Sequence, residues 1–121
     1  MAESKLVQFV QLLERRTAEG KVVWEQTAHD GVYQAAFPQY AVTIRKEETM
    51  RSGMHYLLQI LDEQGRIIEE VRGEGPPPIP VLDKPSALDQ LLSRLYGVAR
   101  RQAMGVDKAL DDLLATLKDE D

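Results

Sequence analysis

The sequence predicts an α+β domain with an N-terminal helix, an antiparallel meander of four to five strands, and two C-terminal helices packed on the sheet as a two-layer sandwich. Three observations predict it. Leu6, Phe9, Val10 and Leu13 repeat at the spacing that lines one face of a helix. Tyr40, Val42 and Ile44 alternate with Ala41, Thr43 and Arg45, the period of a strand with one buried face. Helical spacing then returns after Ser86, in Leu88, Leu91, Leu92, Leu95 and Ala99.

The first helix is expected over about residues 4–18, ended by Gly20, which reaches left-handed dihedrals at no steric cost. Val22 to Thr27 reads as a strand, and Val32 to Phe37 as its return after the Asp30-Gly31 turn signal. The polar run Lys46 to Gly53 reads as a loop, and Met54 to Leu61 as the most apolar strand. Asp62-Glu63-Gln64-Gly65 turns that strand back into Arg66 to Val71. Gly73 to Pro80 breaks the pattern, because proline fixes φ and lacks a donor, so residues 73–85 are expected to be an extended connector. Ser86 is placed to cap the next helix, Gly105 to end it, and Asp107 to cap a last helix carrying Leu110, Leu113, Leu114 and Leu117. Residues 119–121 form an acidic tail, and the chain, 1–121, reads as one domain.

The strand Met54–Leu61 carries too many apolar residues for a sheet with one wet face. Met54, Tyr56, Leu58 and Ile60 fill one side, and Leu57 and Leu61 stand on the other. Either a helix wraps onto that second face, or a partner covers it, a second copy or another protein.

Composition narrows the chemistry. Hydrophobic residues make up 43% and charged residues 29%, an ordinary globular balance. There is no cysteine, so disulfides and thiolate chemistry are excluded. The net charge of −5 carries no basic stripe to draw in nucleic acid. The start Met1-Ala2-Glu3-Ser4-Lys5 lacks the pattern of a secretory signal, and no apolar run approaches the ~18 residues of a membrane span, so a cytoplasmic protein is expected.

No catalytic, metal or cofactor motif emerges. His29 lies in a turn and His55 opens a strand; Ser52 is near His55 but sits in no nucleophile elbow. Of Asp107, Asp111 and Asp112, Asp107 is better explained as a helix cap and Asp111 as an acidic group near the positive end of the helix, so a metal site is not expected. Gly73-Glu74-Gly75 is followed by prolines where a phosphate loop needs a helix. Pro77 to Pro80 has a P-x-x-P spacing, better read as a stiff connector. Arg94, Arg100 and Arg101 make a basic side on the long helix, suited to a solvated face and to its negative end. With Leu57 and Leu61 they form the candidate interaction surface.

The segments Gly20–Glu25, Phe37–Ile44, Leu61–Gly65 and Leu95–Asp107 resemble pieces of small bacterial α+β proteins of unknown function. That resemblance implies a bacterial, cytosolic origin and transfers no site residues. The sequence thus favours a non-enzymatic interaction or regulatory domain. A second reading is a sheet that binds single-stranded nucleic acid through Trp24, Tyr33, Phe37, Arg45, Lys46 and Arg51. A third is a small enzyme or ligand-binding domain that brings together residues such as His55, Tyr56 and Arg94.

Overall fold

A computed structural model describes residues 5–49, 53–73 and 87–118. Its elements, in chain order, are α1 (Lys5–Ala18), β1 (Trp24–Gln26), β2 (Tyr33–Ala36), β3 (Ala41–Thr49), β4 (Gly53–Leu61), β5 (Ile67–Arg72), α2 (Ala87–Ala103) and α3 (Val106–Lys118). The five strands form one antiparallel sheet in the order β1-β2-β3-β4-β5, so each strand pairs with its neighbour in sequence. The predicted α+β architecture, with a helix, an antiparallel meander and two C-terminal helices, is the one observed. Ser86, most of the proposed connector and the acidic tail lie outside the described residues.

Local chemistry sets the ends of the elements. At the end of α1, Gly20 has φ of 78°, which lets Lys21 N donate to Arg16 O at 2.9 Å and Gly20 N to Thr17 O at 3.0 Å. This pair of bonds satisfies the last carbonyls of the helix. Gly105, with φ of 66°, serves two helices: its amide donates to Gln102 O at 3.2 Å, and its carbonyl accepts Ala109 N at 2.9 Å. Gly105 is therefore the cap of α3, the role expected of Asp107. Asp107 lies inside the first turn, where its charge suits the helix dipole and accepts Arg101 Nη2 at 2.6 Å. In the β4–β5 turn, Asp62 Oδ1 accepts the amides of Arg66 at 3.0 Å and Gln64 at 2.9 Å, and Oδ2 accepts Arg66 Nε at 2.9 Å. The Arg66 amide is the main cause holding this carboxyl below its ordinary range.

One boundary departs from the sequence reading. The polar run from Lys46 is strand, with pairing that continues from Ala41↔Leu61 out to Thr49↔Gly53. β2 accompanies β3 only as far as Ile44, so, among the described residues, 45–49 pair on one side alone. Side chains there have little core to meet, which is why a strand can carry Arg-Lys-Glu-Glu.

The core lies between one sheet face and the helices. Trp24, Tyr33, Ala35, Val42, Ile44, Leu58 and Val71 from the sheet meet Val10 and Leu13 of α1 and Leu91, Leu92, Leu95 and Ala99 of α2. Trp24 is the joint of three elements. Its indole Nε1 donates to Thr17 Oγ1 at 2.9 Å, and Thr17 Oγ1 in turn donates to Leu13 O at 2.7 Å. Its backbone amide donates to Gln102 Oε1, while Gln102 Nε2 donates to Val22 O at 2.9 Å. The end of α2 is thereby tied to the outer edge of β1.

Candidate interaction surface

Four regions of the structure hold side chains that could act on something outside the chain. The first is the second face of the sheet, the one away from α2. Gln59 organises it: its amide oxygen accepts Arg45 Nη2 at 2.6 Å and Thr43 Oγ1 at 3.5 Å, and its Nε2 donates to Glu70 Oε2 at 2.8 Å. Beside it, Glu47 Oε1 contacts His55 Nε2 at 3.2 Å and accepts Arg72 Nη2 at 3.3 Å. Thr43, His55, Leu57 and Gln59 are all buried, Leu57 to 1% exposure. This network neutralises its own charges, and its histidine faces a carboxylate with no described hydroxyl beside it. It orders the sheet.

The second region is a cleft of about 450 Å³ beside the part of β3 that extends past β2, lined by His29–Val32, Arg45–Glu47 and Tyr96. Tyr96 stands between two other tyrosines, with ring centroids 5.6 Å from Tyr33 and 5.4 Å from Tyr56. The Lys46 ammonium lies 5.4 Å from the Tyr96 ring centre and 5.8 Å from that of Tyr56. Burial, then the neighbouring Tyr33, raises the Tyr96 hydroxyl above its ordinary value of 10.0. The folded state thus holds this proton more tightly than the unfolded chain. Its stabilisation is complete below about pH 10 and falls as pH rises through the elevated value. Tyr96→Phe is therefore expected to lose less stability than the parent, by thermal unfolding, as pH rises above about 10; equal losses would remove Tyr96 as the cause.

The third region is α3. Val106, Leu110, Leu113 and Leu117 follow the four-three-four spacing of a helix seam, with Leu114 beside it. No residue of α3 is buried; Leu113 is 57% and Leu117 66% exposed. Among the described elements, α3 packs chiefly against α2. Its polar side is satisfied locally, by Lys108 Nζ to Asp112 Oδ2 at 2.8 Å and Thr116 Oγ1 to Asp112 O at 3.0 Å. A second apolar area faces water where α1 meets the β2–β3 turn. There Phe9, Phe37, Tyr40, Val42 and Ile60 line a hollow of about 360 Å³, with Phe37 and Tyr40 exposed.

The surface suggested by sequence is dispersed in the fold. Leu57 is closed off within the chain and Leu61 is half-buried. Arg94, Arg100 and Arg101 are exposed on α2, on the opposite side of the sheet. Arg94 pairs with Glu14 at 3.4 Å and Arg101 with Asp107 at 2.6 Å. The aromatic set for base stacking is divided as well, since Trp24 and Tyr33 are buried in the core and Phe37 belongs to the hollow. Tyr56 faces the helices, whereas His55 faces the other way; Ser52 and Arg51 lie outside the described residues. The hollow escaped sequence reading because its lining comes from α1, β3, β4 and a turn, with no local signature. The α3 stripe was visible as a helical face, but spacing does not report what covers it.

The chain belongs structurally to the α+β class, a single antiparallel sheet with helices on one face. No protein-family model, curated protein or solved structure matches it. Among the described residues no helix is long and apolar enough to cross a membrane, and no three His, Cys, Asp or Glu side chains group as a metal site would need.

Proposed function

We propose that this protein is a non-enzymatic interaction module, bacterial and cytoplasmic, whose docking element is α3. The observation that carries this reading is a leucine stripe left in water along the whole of an amphipathic helix. The four leucines present on the order of 400 Å² of apolar surface, the scale at which an exposed patch on a monomer is commonly functional. A helix of thirteen residues is marginal in water by itself, so cover for its apolar side is also what would hold it helical. This is the helix-in-groove mode of recognition, with anchors at i, i+3, i+4 and i+7.

A photo-crosslinking amino acid placed at Leu113, on the stripe, and separately at Lys108, on the polar side, tests the reading inside the cells that make the protein. Covalent adducts are expected from position 113 and not from 108. An absence of adducts at 113, with the variant folded, would sink the reading.

A further inference from the structure

Building on that reading, we infer that the partner is a second copy of this chain, and that each α3 fills the Phe9–Phe37–Tyr40 hollow of the other copy. The argument begins with area. Two copies of α3 laid against each other bury about 800 Å² in total, the size of an incidental contact and half of the ~1,600 Å² typical of a stable interface. The hollow and its exposed rim, with Phe37 and Tyr40, offer an apolar area of similar order to the stripe. When each protomer gives one stripe and one hollow, the total doubles to about 1,600 Å² and reaches the usual size.

Volume agrees. A hollow of about 360 Å³ holds two or three leucine side chains of about 100 Å³ each at protein packing density. Leu110, Leu113 and Leu117 arrive from one side of α3 at that count. The lining is wholly apolar or aromatic, so no buried polar group is stranded by an aliphatic occupant. Connectivity points to another molecule as the donor. Only Met104 and Gly105 join α3 to α2, and the end of α2 is anchored through Gln102 to β1. Reciprocal exchange about a two-fold axis also uses both surfaces of both copies and closes, whereas a one-way arrangement would propagate.

Sedimentation equilibrium of the intact chain from about 1 to about 100 µM is expected to give a dimer, twice 13.7 kDa. The stripe variant Leu113→Asp/Leu117→Asp and the hollow variant Phe37→Ser should each raise the dimer Kd by roughly a hundredfold. Far-ultraviolet circular dichroism checks that both variants fold, and Tyr40→Ser replaces Phe37→Ser if the latter does not. Mixing the two variants should restore association part-way, because each mixed pair keeps one intact stripe in one intact hollow. A dimer that is lost in the stripe variant but indifferent to the hollow variants would overturn the inference in favour of α3 pairing with α3. A chain that stays monomeric at the highest concentration would overturn it as well. If the crosslink at 113 then captured a different protein, the interaction reading would survive while the identity of the partner would not.

Discussion

Trp24→Ala is expected to lower the unfolding free energy by about 3–5 kcal/mol, read as a fall in the urea midpoint at unchanged slope. Trp24 is among the largest fully enclosed side chains, and it meets α1, α2 and the sheet at once. Removing it takes away transfer free energy and leaves a cavity between layers that are each held by their own hydrogen bonds and cannot collapse fully. The indole also accounts for one acceptor position of Thr17. Thr17→Val separates the two contributions, because it leaves Trp24 Nε1 buried without its acceptor at a cost of about 1–3 kcal/mol while keeping the ring in place. A loss under 1 kcal/mol for Trp24→Ala would mean that β1 and α2 do not depend on this joint.

Leu58→Ala is expected to cost about 2–5 kcal/mol. Leu58 has 0% exposure, lies on β4 between Ile44 and Val71, and faces α2. Strands on both sides fix its backbone, so the space it leaves persists. Against a total stability of typically 5–15 kcal/mol, either substitution removes a large fraction. Leu113→Ala provides the contrast, since in dilute monomer this exposed side chain should matter by no more than about 0.5 kcal/mol. Leucine identity alone therefore does not set the cost.

That contrast also shows why the architecture was legible in the sequence and the apolar hollow was not. The stripes of α1 and α2 and the alternation of β3 and β4 are local patterns, and backbone geometry turns each into an element with an apolar side. The run after Ile44 misled because charge normally marks loops. It is strand here because β4 continues to pair with it after β2 has ended. Leu57 and Leu61 invited a docking interpretation because alternation assigns them to the second face, but assignment to a face does not fix exposure. The apolar hollow depends on residues from position 9 to position 60 and exists only after folding.

The tie between Gln102 and β1 has a consequence for how the protein can associate. An edge strand is a template on which foreign backbone can add rung by rung. The primary amide of Gln102 offers the same donor and acceptor as a peptide group, and it holds the Trp24 amide at the start of β1 and the Val22 carbonyl just before it. Backbone addition at the start of β1 would have to displace this amide first. On the β1 side, association is thus left to side-chain surfaces such as the α3 stripe and the apolar hollow.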